Sequence, residues 1–375
     1  MNYDVIFPLG PNDVDLFKKY IKYNQQNILN YRNMYIVSYD PSIEVEGCIT
    51  VNENKFLFLK EAIENKMGKI PRVGWYFQQL IKLYSHNIID GLLDNYLVVD
   101  ADIIFTKPTD FFISTSIDEN NSFNRDATEA KDEILETNCK ENQNKLSIKT
   151  KFNFSEQYHY KYFIHMEKLH PTLKKMKKYS GICDHMMFER KYLNELFQII
   201  ENYHSFSQNT KNLISSTLQS DESINNLPTQ ATEIWSSPTL RSGESLNIEV
   251  GVTEAKDELL ETKCKEITET NPEFVETNHI ENKKFYELFI EYIDPNDYFY
   301  GSGASEYEIY FNFMLKYHDD VVFLRHLNNK FVPRKDLDDY LGYEFLFYSE
   351  QSVDENKITY LTENMDYITS HHWLQ

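Results

Sequence analysis

The chain has 375 residues, of which 41% are hydrophobic and 15% aromatic, so it can bury a large core, and a wholly disordered, collagenous or disulfide-scaffold protein is excluded. Its 59 acidic residues outnumber 38 basic ones, and the net charge of -21 argues against binding of nucleic acid or anionic lipid through the bulk electrostatic field. An anionic substrate would need a local cation.

The predicted elements alternate between strands and helices from the N-terminus onward. The pattern of apolar residues, Pro and Gly predicts strands at Tyr3–Gly10, Met34–Asp40, Cys48–Val51 and Tyr96–Phe105, and helices at Asn12–Asn30, Phe58–Lys66 and from Trp75 onward. Strands that are almost continuously apolar are typical of a parallel sheet covered on both faces. We therefore predict an α/β fold with a mixed, mainly parallel sheet.

Two segments have a different composition from the rest. Residues 114–151 and 205–284 hold only four of the 55 aromatic residues and are rich in Glu, Asn, Thr, Ser and Lys. They also share a repeat, ATEAKDEILETNCKE at 127–141 and VTEAKDELLETKCKE at 252–266, which are identical at 12 of 15 positions. Such a composition buries too little apolar surface to offset backbone entropy, so both are predicted to be low-complexity insertions, although a short helix that docks a partner is an alternative for the repeat.

The insertions divide the predicted domain into parts. Residues 1–113 form a first half with the apolar strand Tyr96–Phe105, and residues 152–204 and 285–375 form a second half. The cysteines form no C-x-x-C pair, so neither a zinc knuckle nor a disulfide framework is indicated. No N-terminal signal pattern and no run of about 18 apolar residues occurs, which predicts a soluble, cytoplasmic protein without a transmembrane helix.

Asp100 and Asp102 stand two residues apart in the apolar run YLVVDADIIF. In an extended chain their side chains project to the same side, and two close carboxylates in a dry site require a cation or a shared proton. Mg²⁺ or Mn²⁺ suits such oxygen ligands and leaves positions open for phosphates. A strand of this kind serves either a phosphatase with an aspartyl nucleophile or a transferase that uses a nucleotide-diphosphate sugar, but the Gly and G-D-x-x-x-D signals of the phosphatase are absent from the sequence.

Six motifs follow one another along the chain: FPLGPND, RVGWYFQQLIKL, YLVVDADIIFTKPTDFF, SGICDHMMF, SGASEYEIYFNFML and SHHWL. In this order they resemble the motifs of glycosyltransferases of the GT-A type, single-domain Rossmann-like enzymes with a D-x-D metal motif. The resemblance implies a cleft at the strand ends, with the nucleotide on the N-terminal half and the acceptor on the C-terminal half. The implied cofactor is Mn²⁺ or Mg²⁺, held by Asp102 and Asp100, with His371 or His372 as a further ligand.

The resemblance also suggests roles for residues outside the D-x-D motif. Arg72 and Gln79 are expected near the donor diphosphate, although Arg72 can equally be a surface arginine with Trp75 in the core. Pro8, Gly10 and Asp13 are expected near the base, although a simple turn and helix cap also explain these three. Asp184 and His185 are expected to contact the sugar or acceptor, with Asp184 catalytic; the alternative is a satisfied structural pair. Glu306 is the candidate general base, although a carboxylate behind the helix cap Ser305 is also favoured by the helix dipole alone.

The predicted function is therefore that of a metal-dependent, hexosyltransferase-like glycosyltransferase that uses a nucleotide-sugar donor. UDP is the expected nucleotide because it is the commonest among the resembling enzymes, and the acceptor is a hydroxyl of a glycan, a protein or a small molecule. The sequence does not indicate whether the transfer inverts or retains the configuration of the sugar's anomeric carbon, or what the oligomeric state is. The alternatives are a Mg²⁺-dependent phosphatase or nucleotide hydrolase that uses the same aspartates, and a non-catalytic protein that binds a glycan or another partner.

Overall fold

A computed structural model describes residues 2–116, 146–157, 159–220, 283–298, 302–338, 341 and 365–371. The chain divides into two compact units. Residues 1–203 and 284–375 form the first unit, and residues 204–283 form the second. In the second unit the described residues are 204–220, which continue a helix, and Lys283. Both copies of the repeat lie outside the described residues.

A five-stranded sheet forms the centre of the first unit. Its strands are β1 (Tyr3–Leu9), β2 (Tyr31–Ser38), β3 (Cys48–Asn52), β4 (Asn95–Val99) and β8 (His185–Glu189). Their order is β3-β2-β1-β4-β8, in which the first four are parallel and β8 runs antiparallel to β4. All seven residues of β1 are buried, as expected for a strand covered on both faces. The predicted Rossmann-like α/β fold with a mixed, mainly parallel sheet is confirmed.

Seven α-helices accompany the strands within the described residues. They are α1 (Val14–Asn27), α2 (Leu57–Met67), α3 (Val73–Ile88), α4 (Tyr160–Leu169), α5 (Arg190–Ser220), α6 (Phe285–Glu291) and α7 (Glu306–Tyr317). The first three lie where the sequence predicts helices. The predicted cap of α7 is also present, because Ser305 Oγ accepts a hydrogen bond from the Glu308 amide at 3.3 Å.

The sequence predicts one continuous strand at Tyr96–Phe105, and this prediction is wrong, because the segment forms two strands. The chain leaves β4 after Val99, turns at Asp100–Asp102 and enters β5 (Ile103–Phe105), which belongs to a different sheet. In that sheet β5 pairs with β11 (Tyr367–Thr369), and β11 pairs with β10 (Asn329–Phe331). The apolar pattern continues across the break because β5 is buried as completely as β4.

A third sheet includes residues at both ends of the first predicted insertion, residues 114–151. It contains β6 (Phe112–Ser116), β7 (Leu146–Asn153) and β9 (Val322–Arg325) in the order β6-β7-β9. Strands β6 and β7 thus include residues 114–116 and 146–151 of that segment. The composition of these residues alone predicts no strand, but pairing with neighbouring strands forms one. Across the described part of the chain, no helix is long and apolar enough to cross a membrane.

Candidate active site

The turn at Asp100–Asp102 lies at the carboxyl end of β4 and is held by two distant segments. The Asp100 amide donates to the carbonyl of Asp184 at 2.9 Å, and the Ser370 amide donates to the carbonyl of Asp102 at 3.0 Å. These bonds bring Asp184, which precedes β8, and His371, which follows β11, to the D-x-D turn. The carboxyl end of a strand in an open α/β sheet is where ligands of such folds bind.

Asp100 is surrounded by buried groups that we call the lysine side of the turn: Lys82, Glu306 and Tyr307. Lys82 Nζ lies 2.6 Å from Asp100 Oδ1 and 2.7 Å from Glu306 Oε1. Tyr307 donates from its hydroxyl to Asp100 Oδ1 at 3.1 Å, and its ring centroid is 4.3 Å from Lys82 Nζ. The side chains of Lys82 and Glu306 are each 4% exposed.

The protonation states of the lysine side follow from this pairing. Burial disfavours the ammonium of Lys82, but the charges of Asp100 and Glu306 outweigh burial and raise its pKa. Burial raises the pKa of Glu306, and Lys82 counteracts part of that rise. One cation therefore bridges two carboxylates in an enclosed setting.

Asp102 is surrounded by the histidine side of the turn: His371, Asp184 and Thr369. His371 Nδ1 lies 2.8 Å from Asp102 Oδ2, and Thr369 donates from its hydroxyl to Asp184 Oδ2 at 3.2 Å. Burial lowers the pKa of His371, but its hydrogen bond to Asp102 and the nearby negative charges outweigh this and raise the pKa above its ordinary value. Burial and the charge of Asp100 raise the pKa of Asp184 to about 7. Within the histidine side, Asp184 thus titrates near neutrality, and His371 holds its proton to a higher pH than an ordinary imidazole.

The donor set of the histidine side suits a hard divalent cation. Carboxylate oxygens are the ligands that Mn²⁺ and Mg²⁺ prefer, and an imidazole nitrogen suits a transition metal such as Mn²⁺ better than Mg²⁺. Among the described residues, no three His, Cys, Asp or Glu side chains already form a group arranged to hold a metal ion. Asp102 Oδ2 and His371 Nδ1 are bonded to each other, so these two atoms can both bind a metal only if this bond opens. His372, the alternative ligand, lies outside the described residues.

A buried network fixes the backbone that carries Asp184. Glu308 Oε2 accepts from the Ser180 hydroxyl at 2.7 Å and from the Gly181 amide at 2.9 Å. A Cβ on Gly181 would lie 2.4 Å from Phe311 Cβ, so only glycine fits there. Asp184 itself has a φ of 57°, an uncommon conformation outside glycine that a polar side chain tolerates better than most. This network points to a structural role for Glu308 and a site role for Asp184.

The end of β1 contributes a second group of polar residues at the same edge of the central sheet. Gly10 precedes a short helical turn, and Asp13 forms an ion pair with Arg334. Arg334 also donates from Nε to the carbonyl of Ser370 at 3.2 Å, beside His371. The carbonyl of Pro8 lies 3.5 Å from the Gln78 side-chain nitrogen. The structure therefore links the predicted base-binding loop to the histidine side through an arginine.

The remaining predicted residues are Arg72, Gln79 and His185, of which Gln79 contacts the lysine side. Arg72 directly precedes α3, with its guanidinium 5.4 Å from the Trp75 ring centroid. Gln79 is buried, its Oε1 accepts from the Glu306 amide at 3.3 Å, and its Nε2 has no hydrogen-bond partner within the described residues. The His185 ring packs against Phe105, Phe111 and Tyr367, and burial lowers its pKa to about 3. His185 is thus a neutral core residue whose backbone pairs with Val99 beside the turn, while its ring packs among aromatic side chains.

Sequence reasoning missed Lys82, Tyr307 and Arg334. The signal for Lys82 was partial. The residues on either side of it in the sequence are apolar, but those one turn away along α3, Gln78, Gln79, Ser85 and His86, are polar. A lysine that such a helix buries needs an anionic partner. Arg334 gives no such signal, because its partners Asp13 and Ser370 are distant in the chain and nothing in the local sequence pairs them.

The model of DUF6492, a family of unknown function, matches residues 9–234, more than half of the chain, and the chain belongs to this family. The matched range contains Lys82, Asp100, Asp102 and Asp184, whereas Glu306, Arg334 and His371 follow it. No curated protein matches the chain.

Proposed function

We propose that this member of the DUF6492 family is a metal-dependent glycosyltransferase that moves a sugar from a nucleotide-diphosphate donor to a hydroxyl acceptor. The observation that carries the proposal is the meeting of Asp100, Asp102, Asp184 and His371 at the carboxyl end of β4. These are ligand and base types at the edge of the sheet where an α/β fold binds nucleotides. The resemblance of the motifs to GT-A enzymes supports the same reading.

Asp102 and His371 are the residues that would hold Mn²⁺ or Mg²⁺, with Asp100 fixed beside them by Lys82. When bound, the metal supplies positive charge that stabilises the leaving diphosphate. The lysine side orients the Asp100 carboxylate, because it accepts from both Lys82 and Tyr307. Pro8, Gly10 and Asp13 would meet the nucleotide base, with UDP as the expected nucleotide. Arg334 provides the local cation that an acidic chain needs near an anionic donor.

Asp184 is the group that we propose to remove the proton from the acceptor hydroxyl in an inverting reaction. It is half-buried, and a pKa of about 7 is well matched to proton transfer at neutral pH. Glu306, the base predicted from the sequence, is 4% exposed and bonded to Lys82, so we give it the role of holding that lysine. Asp184→Asn should then lower the rate of transfer while donor binding is retained.

Thermal-shift titration with UDP, GDP and CMP, each with and without Mn²⁺, tests the proposal, because a ligand of the native state raises the midpoint by mass action. We expect a shift with one nucleotide that requires Mn²⁺ and disappears in Asp102→Asn. Asp90→Asn is the matched control, since Asp90 is 95% exposed and pairs only with Lys55 among the described residues. The absence of a shift with every nucleotide, together with Mg²⁺-dependent release of phosphate from p-nitrophenyl phosphate, would instead identify a phosphatase.

A further inference from the structure

A lysine-rich loop leads from α4 to the segment that carries Asp184. The ten residues from His170 to Tyr179, HPTLKKMKKY, contain four lysines and no aspartate or glutamate. This is the reverse of the whole chain, in which acidic residues outnumber basic ones by 59 to 38. The loop is therefore a local positive surface on an acidic protein.

Hydrogen bonds to helix α7 hold the loop against the first unit. The Met176 amide donates to Asn312 Oδ1 at 2.8 Å, and the Thr172 hydroxyl is hydrogen-bonded to the Tyr317 hydroxyl. Lys175 points inward, where its Nζ donates to the carbonyl of Tyr179 at 3.1 Å and lies 3.7 Å from Glu308 Oε1. One lysine thus anchors the loop and the others are left at the surface.

The outward face of the loop combines charge with apolar surface. Lys174, Lys177 and Lys178 are exposed, and none of them forms an ion pair with an acidic residue in the part of the chain that the structure describes. Met176 lies between these lysines and is 39% exposed, although its backbone is held by Asn312. Tyr317, which contacts the loop through Thr172, adds an exposed ring.

We propose that the surface formed by Lys174, Met176, Lys177 and Lys178 docks the protein on an anionic phospholipid bilayer. Lysines near an anionic membrane surface each strengthen binding about fivefold, so three contribute roughly a hundredfold. The exposed methionine between them favours a bilayer over nucleic acid, because its thioether enters the acyl boundary and gains nothing from phosphates alone. At about 0.1 M salt the Debye length is about 10 Å, so the acidic remainder of the chain is screened and the local charges dominate.

The inference does not depend on the proposed function, and vesicle flotation of the full chain tests it. The probes are vesicles of phosphatidylcholine alone and vesicles with 30% phosphatidylglycerol, at about 0.1 M and 0.5 M NaCl. We expect binding only to the anionic vesicles and only at the lower salt. The variant K174E/K177E/K178E should lose roughly a hundredfold or more in partitioning, and Met176→Ser should weaken it severalfold.

The matched control is K18E/K22E/K66E, which changes the net charge equally at exposed lysines far from the loop in sequence. It should bind the anionic vesicles as the unaltered chain does. A loop triple variant that binds normally would overturn the proposal, as would binding of a single-stranded RNA oligonucleotide at least as tightly as anionic vesicles. Far-UV circular dichroism and melting of each variant confirm folding, and K174Q/K177Q/K178Q provides a milder version of the same test.

Discussion

The two sides of the Asp100–Asp102 turn hold their carboxylates in different ways. On the lysine side, Asp100 contacts Lys82, a permanent cation that is also bonded to buried Glu306. On the histidine side, Asp102 contacts His371, a group whose charge depends on pH, and lies near Asp184, whose pKa is about 7. The first arrangement cannot change without exposing buried charge, whereas the second can exchange its partner for another cation.

From this difference we infer that the two sides of the turn have separate roles. The lysine side fixes the position of the Asp100 carboxylate, and the histidine side is available for ligand binding and proton transfer. The division predicts large stability effects on the lysine side and small, pH-dependent effects on the histidine side.

The largest effect is expected for Lys82→Met. Removing the ammonium leaves Glu306 and Asp100 as unpaired charges in an enclosed setting, which costs about 3–5 kcal/mol in the free energy of unfolding. Urea denaturation measures this loss. The double variant Lys82→Met, Glu306→Gln should recover part of it, because one buried charge is then neutral.

Lys55→Met serves as the control for Lys82→Met, since Lys55 forms an exposed pair with Asp90 and its loss should cost less than about 1 kcal/mol. Equal costs for the two lysine variants would contradict the distinction between the sides of the turn.

A smaller effect is expected for His165, which is buried like Lys82 but forms no ion pair with any residue that the structure describes. Burial lowers the pKa of His165 to about 4, and Nε2 donates to the carbonyl of Phe289 at 2.8 Å. His165 binds a proton near pH 6.5 in the unfolded chain and near pH 4 in the folded chain. The free energy of unfolding is therefore not reduced by His165 above pH 6.5, and it falls by up to about 3 kcal/mol on acidification to pH 4. His165→Gln should flatten that part of the profile, whereas His159→Gln, at an exposed site, should not.

Tyr307→Phe tests the second contact of Asp100 without removing its cation. The change deletes the hydroxyl that donates to Asp100 Oδ1 but keeps the ring that packs against Lys82 and Phe188. Loss of a hydrogen bond to a charged acceptor costs about 1.5–3 kcal/mol in the free energy of unfolding. We expect a cost at the lower end of this range, because Asp100 keeps its bond from Lys82. Tyr31→Phe, whose hydroxyl donates weakly at 3.4 Å, should change the urea midpoint little. A larger loss from Tyr31→Phe would argue against the role of Tyr307.

The sequence was sufficient for those parts of the fold that local patterns determine. Strands β1 and β2, helix α3 and the cap at Ser305 lie where apolar period and capping chemistry predict them. The grouping of Asp102 with His371 was predicted from the family resemblance, and the side chains do lie in contact.

The break between β4 and β5 was not predictable, because it depends on the pairing of β5 with β11, more than 260 residues later. The apolar pattern of β5 fits a continued strand equally well. Likewise, His185 sits in an apolar run beside Asp184, and only the three-dimensional packing distinguishes a core imidazole from a site residue. Long-range pairing therefore decides which of two neighbouring polar residues faces the turn.

The smallest expected effect is the contribution of His371 to stability, and its sign is opposite to that of His165. Because Asp102 raises the pKa of His371 in the folded chain, the folded protein holds this proton more tightly than the unfolded chain. The stabilisation is therefore complete below pH 6.5 and disappears as the pH rises through the folded pKa; a pair of this kind contributes about 1 kcal/mol. His371→Gln should be less stable than the unaltered chain at pH 5.5 and equal to it at pH 9, as measured by urea denaturation at both values. A deficit of the variant that is the same at both pH values would mean that His371 contributes through packing, and that the histidine side is as fixed as the lysine side.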